Sequence, residues 1–559
     1  MKYFFYLLIF LLPASITAQT ERPLTRQDTL RGSDGTFRTW WDVQRYDLAV
    51  QVDIDNKSIK GKNTIRFKVN KSGKPRRLQL DLQMPMSIDK IEYVQFKYGA
   101  LPFQREGNVY WVDLGERVFE KDSEHSIVVH FSGTPRAAIR APWDGGWVWA
   151  KDSLDRPWIT VACQGLGASV WYPCKDYQGD EPNKGASLAI TVPDSLTAIG
   201  NGRLIKKTSA NGNHTWTWEV NSPINNYNII PYIGYYANWE EKLKSLNGPL
   251  DASYWVLDYN LERAKAHFKR DVQRMFDSFE DWFGPYPFFN DGYKLVETSH
   301  LGMEHQSAVA YGNKYTDGYL GNDLSGSGWG MKWDYIIIHE TGHEWFANNV
   351  STIDIADMWV HEGFTSYSEV LFVESNFGKK AADEYNKGSR KRIGNKEPII
   401  GKYGVNRRGS GDMYPKGMNL LHTIRQIIDN DIQFKKILRG LNQTFYHQTI
   451  TSADVEAYII KQSGKNLAPI FDQYLRQANI PVLEYSLKEV AGNPNQYSLK
   501  MRWADVVDGF AMPVKVTVQG KDKWIYPTTE WKTIKLAGKK PAVLPVNENF
   551  YIETKAITE

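Results

Sequence analysis

The chain has 559 residues, enough for several domains and a large buried core. Hydrophobic residues at 42% and charged residues at 24% are ordinary for a globular protein, and a formal net charge of +4 gives no reason to expect nucleic acid or acidic lipid as a partner. The 20 Trp and 31 Tyr fit aromatic-rich strands better than a stacking surface for sugars or bases.

Residues 1–18 read as an export signal. Lys2 supplies the positive start, Phe4 to Leu12 an apolar run, and Pro13 leads to a small-residue exit at Thr17-Ala18, with cleavage before Gln19. The run is too short to span a bilayer, and no cysteine stands at the cleavage point to carry a lipid anchor. The mature chain is therefore expected in a periplasm or outside the cell. Its two cysteines, Cys163 and Cys174, leave a disulfide and two buried thiols equally open.

The pattern predicts a multidomain α+β protein. Residues 19–245 read as an N-terminal antiparallel β-domain, since Tyr46–Ile54, Thr64–Val69, Ser126–Phe131 and Ala186–Val192 alternate with period two between turn residues. Residues 246–480 are mainly helical. Ala264, Phe268, Val272, Met275, Phe276, Phe279 and Phe283 keep helical spacing until Gly284-Pro285 stops them. A second helix is expected to begin at Pro415, with Met418, Leu421, Ile424 and Ile428 as its buried stripe. Alternation returns in Tyr497–Trp503 and Val514–Val518, so 481–559 are expected to form a small β-sandwich.

Within the helical region, His339-Glu340-Thr341-Gly342-His343 places two imidazoles one turn, about 6 Å, apart on one helix face. Both can reach one tetrahedral metal, and the glutamate between them lies beside it, placed to handle a proton. The apolar run Tyr335–Ile338 makes this helix buried, where such a pair is costly unless metal or hydrogen bonds satisfy it. A three-histidine zinc pattern needs Gly at 346 and His at 349; Phe346 and Asn349 exclude it. Glu362, at the start of another helical stretch, supplies a carboxylate for a His₂Glu zinc site. Its neighbour His361 points about 100° away, so only one of the two can face the metal. Glu369, two turns on, either orients a ligand histidine or makes a plain core ion pair.

The stretch His339–Phe346 with Glu362 at this distance resembles the aminopeptidase N family of gluzincin metallopeptidases. Three further segments carry the likeness: Gly302-Met303-Glu304-His305, similar to the family's Gly-x-Met-Glu-Asn motif; Tyr414-Pro415-Lys416-Gly417, similar to its catalytic-tyrosine segment; and Gln164 with Tyr172-Pro173-Cys174-x-Asp176, similar to its substrate-pocket stretch. The resemblance covers nearly the whole mature chain in order. It implies a thermolysin-like catalytic domain, one Zn²⁺ per chain held by His339, His343 and Glu362, and hydrolysis of the N-terminal peptide bond of peptides by a metal-activated water. Glu340 becomes the general base, Tyr414 the oxyanion donor and Glu304 the anchor for the substrate's free amine. Gln164 and Met303 line the first-residue pocket beside Gly302.

Two departures qualify that expectation. His305 replaces the motif's Asn and Leu301 its Gly, both beside the amine anchor, and His305 is expected to titrate near neutral pH. The chain also ends after a small β-region, where many relatives carry a large helical domain. A zinc endopeptidase with a weakened anchor and a non-catalytic peptide-binding scaffold are the alternatives. The basic runs Arg390-Lys391-Arg392 and Arg407-Arg408 read as a solvated face more readily than as a receiver for a substrate carboxylate, and Gly321–Gly328 as a connector rather than a site rim.

Overall fold

The computed structural model describes residues 23–95 and 99–558; the expected export signal lies outside them. Three regions follow one another. The first is built on a seven-stranded sheet in which Trp41–Asp53 and Ser58–Val69 form the central pair. Their inward residues, among them Trp41, Val43, Tyr46, Leu48, Ile65 and Phe67, make the core of this region, as the alternation predicts. The expectation of a purely antiparallel domain needs correcting. Trp41–Asp53 pairs in parallel with Ala186–Pro193, with Tyr46 opposite Ala186. Alternation reports which face is buried; it carries no sign for strand direction.

The second region adds a five-stranded mixed sheet to its helices. The hairpin Tyr236–Ser245 and Gly248–Leu257 forms one side, and Tyr293–Glu297 and Val309–Tyr311 continue to the short edge strand Gly302–Met303. Against it packs the helix Leu261–Phe283, which ends where predicted because Gly284 adopts φ +95°. The motif helix spans Tyr335–Gly342. Asp334 caps it, accepting from the Ile336 and Ile337 amides at 3.0 and 3.3 Å. Behind it lie Trp359–Phe377, carrying Glu362, and Pro415–Ile428, which begins at the proline as expected.

The third region has a four-stranded sheet and a separate hairpin, Val514–Val518 with Lys521–Ile525. Its apolar residues Leu483, Tyr485, Leu499 and Trp503 join the core of the helical region. The Tyr551 amide donates to Thr423 Oγ1 at 3.2 Å, tying this region to the helix that begins at Pro415. Cys163 and Cys174 are both free and buried. Among the described residues no helix is long and apolar enough to cross a membrane.

Candidate metal centre and active site

His343 caps the C-terminus of the motif helix in αR geometry, so the one-turn spacing from His339 is kept. Hydrogen bonds at Nδ1 orient both rings. His339 Nδ1 lies 2.7 Å from Glu369 Oε1, and Tyr385 donates its hydroxyl to the other oxygen of Glu369 at 2.6 Å. His343 Nδ1 lies 3.0 Å from the Phe346 carbonyl oxygen. With Nδ1 engaged, each histidine presents Nε2 to the same point, and Glu369 is an orienting group rather than a remote ion pair.

Glu362 completes the set. Its Oε2 lies 3.3 Å from His343 Nε2 and 3.7 Å from His339 Nε2, is buried, and makes no hydrogen bond. The three ligand atoms lie within 4.8 Å of one another. A buried carboxylate oxygen facing two imidazole nitrogens is expensive unless a cation satisfies it, and the His₂Glu donor set fits zinc with one position left open. His361 faces elsewhere, its Nε2 accepting from the Thr352 amide at 3.0 Å.

Close backbone contact sets these elements. A Cβ on Gly342 would meet Ser368 Oγ at 2.6 Å, which lets the motif helix lie against the Glu362 helix. A Cβ on Gly302 would stand 2.8 Å from Ile336 Cγ2 and 2.9 Å from Glu340 Oε1, so only glycine lets the edge strand approach the base.

A cavity of about 710 Å³ opens over the centre. Its walls bring together His339, Glu340, His343, Glu362 and Tyr414 with Gly302, Met303, Glu304 and Gln164, from five stretches of sequence. Burial pushes the Glu340 carboxyl up to about 7, against the pull of His339 and His343; a bound dication adds to that pull. Tyr414 stacks on His339 with ring centroids 6.1 Å apart. Burial and then the Glu362 charge raise its hydroxyl well above the ordinary phenol value, so it stays a donor.

Glu304 sits beside the motif helix on the cavity wall. Glu304, Glu340 and His343 each bring one ligand atom within 4.8 Å of the others. Gln164 donates its side-chain amide to Glu304 Oε1, and the Tyr227 hydroxyl donates to the same oxygen at 3.0 Å. Burial raises the Glu304 carboxyl. Tyr227 was not legible in the sequence: it lies 77 residues from its partner. Asp176 and Cys174 do not line this cavity; Asp176 accepts from Ser169 and braces the turn behind Gln164.

His305 departs from the expectation. It is fully buried outside the cavity, with Nδ1 2.8 Å from the Tyr232 hydroxyl. Burial, reinforced by His300, holds it well below the ordinary histidine value, so it stays neutral rather than titrating near neutral pH. His305 turns inward here, whereas Gly302, Met303 and Glu304 just before it line the cavity. The basic runs lie closer to the site than a remote face would. Arg392 and Arg408 are exposed, as expected of a solvated face, but with half-buried Arg407 they also line the cavity, and Leu324 brings the Gly321–Gly328 segment to its rim.

Residues 269–474 match the peptidase family M1 domain, and residues 43–227 match the peptidase M1 N-terminal domain. The chain belongs to the peptidase M1 family. Among curated M1 relatives it is 24% identical over 383 residues to aminopeptidase A of Gloydius brevicauda, covering 65% of this chain and 37% of that protein. It is 24% identical over 348 residues to aminopeptidase B of Mus musculus, covering 58% and 50%. Aminopeptidase N of Lactococcus lactis subsp. lactis is 22% identical over 336 residues, covering 56% and 38%. The chain thus spans half the length or less of these relatives. A solved M1 zinc metallopeptidase mutant from Deinococcus radiodurans, bound to a Tyr-Ser-Ala substrate, superposes with a TM-score of 0.66. It is 18% identical and the match covers 79% of this chain and 96% of that one, which supports the same fold.

Proposed function

We propose that this M1 peptidase is an exported zinc-dependent aminopeptidase that hydrolyses the N-terminal bond of peptides. The observation that carries this reading is Glu304, a buried carboxylate beside Glu340 and His343, held by Gln164 and Tyr227. Such a carboxylate is stabilised by a substrate ammonium, and a chain without one leaves it unpaired.

His339, His343 and Glu362 would hold the zinc, which when bound supplies a Lewis acid that polarises the scissile carbonyl and acidifies water. Glu340 accepts a proton from the attacking water on its carboxylate and returns it to the leaving nitrogen. Tyr414 donates its hydroxyl to the oxygen on which negative charge grows, a contact whose loss typically costs about 10²–10³ in rate. Glu304 fixes the amine one residue from the scissile bond, which sets the point of cleavage. His305, turned away from the cavity, does not weaken that anchor, and the endopeptidase alternative loses its motive. Residues 1–18 support export through their charge and apolar pattern.

The test is a panel of aminoacyl anilides with the zinc-loaded enzyme, its chelated form and Glu340→Gln. Hydrolysis by the first alone supports the reading, and no hydrolysis of any free-amine substrate overturns it.

A further inference from the structure

The two basic runs are the sequence feature that the zinc chemistry leaves unused. Arg392 closes a short turn, Arg390–Arg392, after the helix Lys379–Ser389. Arg408 lies on the return of a loop that begins near Ile399. Both are pinned to the active-site elements. The Gly394 and Asn395 amides donate to the Asp412 carboxylate at 2.8 and 2.7 Å, and Asp412 lies in the turn that leads to Tyr414. The Gly401 amide donates to the Ala356 carbonyl and the Gly404 amide to Asp354, each at 2.8 Å, just before the Glu362 helix. The loop also packs on itself through glycine: a Cβ on Gly409 would stand 2.1 Å from the Ile399 carbonyl oxygen. These arginines are thus carried on backbone fixed relative to Glu362 and Tyr414.

Their side chains face the cavity with nothing to hold them. Among the described residues, no hydrogen bond, ion pair or ring contact engages the guanidinium of Arg392 or Arg408. The cavity's own carboxylates have other duties: Glu304 is held by Gln164 and Tyr227, and Glu362 completes the metal set. The cavity wall therefore carries both the carboxylates of the site and two guanidiniums without a protein partner. Its volume of about 710 Å³ lies in the range of pockets for small ligands.

We propose that Arg392 and Arg408 receive a carboxylate on the leaving portion of the substrate, which makes short peptides with a free carboxylate the preferred substrate class. The proposal rests on the aminopeptidase reading and deepens it. A guanidinium offers paired donors that match a carboxylate, and a zwitterionic peptide complements a wall that carries both charges. The carboxylate can be the C-terminal group of a short peptide or an acidic side chain after the scissile bond.

The experiment compares kcat/KM for Ala-Ala-Ala with its C-terminal amide, and for Ala-Asp amide with Ala-Asn amide. The expected result is a preference of about tenfold or more for the free acid, or for Asp over Asn, which identifies the source. The preference should fall toward one in the Arg392→Met/Arg408→Met double variant and be partly kept by Arg408→Lys. Equal rates for acid and amide in both pairs overturn the proposal, as does a double variant that keeps the wild-type ratio. Turnover of an alanine anilide, which has no carboxylate, reports separately on the aminopeptidase reading. Calorimetric binding of the acid and amide tripeptides to zinc-loaded Glu340→Gln reads the arginines without catalysis. Equal affinities there also overturn the proposal. If the double variant does not fold, the two single variants carry the comparison.

Discussion

A Cβ on Gly417 would stand 2.9 Å from the Cα of Gly363, so the helix carrying Glu362 and the helix headed by Tyr414 touch backbone to backbone. The pair fixes the third metal ligand relative to the hydroxyl proposed to stabilise the oxyanion. Neither neighbour is a flexible side-chain end that could yield. Gly417→Ala should therefore cost about 1–3 kcal/mol of stability through overpacking. A displacement of about 1 Å at Tyr414 should also lower kcat by roughly 10²-fold. A lower melting temperature with unchanged kcat would show that the contact is structural only.

Glu369 spends one oxygen on His339 and the other on Tyr385. Glu369→Ala leaves all three metal ligands in place but releases the ring that His339 presents. Zinc affinity, measured by competition with a chelator, should fall by about 10–100-fold. Excess zinc should then restore most of the activity. If affinity is unchanged, the ion pair serves packing alone.

The residues differ in how visible they were beforehand. His339, His343 and Glu362 are legible because helical spacing turns sequence distance directly into direction. Tyr414 and Gln164 needed the family resemblance, since a lone tyrosine or glutamine has no periodic signature. Tyr227 had no signal at all: its role comes from a contact between the short turn Asn226–Asn228 and the residue after the edge strand. Arg392 and Arg408 are exposed as their charge predicts, but a charge run carries no sign of whether the face it occupies borders a cavity. What distinguishes them is the loop that folds back onto Asp354, Ala356 and Asp412. The strands were predictable from alternation, yet the parallel pairing of Trp41–Asp53 with Ala186–Pro193 was not, because both directions bury the same face.

Tyr227 and Gln164 share one oxygen of Glu304. Removing the carboxylate charge in Glu304→Gln should raise KM for free-amine peptides by about tenfold or more, the usual worth of a charge-assisted bond. Tyr227→Phe should raise it less, since one neutral donor is lost. Nα-acetylated peptides should resist the wild-type enzyme. Cleavage of the acetylated peptides at a comparable rate would remove Glu304 from the role assigned to it.

Lys294 is a pH-sensitive element away from the cavity. Its side-chain nitrogen is buried, donating to the Gly202 carbonyl and lying 5.1 Å from the Trp218 ring centroid. Burial pulls it from the ordinary 10.5 down to about 7, with Arg203 acting the same way and Asp291 and Glu344 opposing. The folded value is depressed, so the folded state holds the neutral amine while the unfolded chain takes up a proton. The contribution to stability is complete above about 10.5 and is lost as pH falls towards about 7. Lys294→Met removes that titration. Its melting temperature relative to wild type should rise steadily from pH 9.5 to pH 7 and level off below. A difference that stays constant across this window would mean that Lys294 is charged in the folded protein at both ends of it.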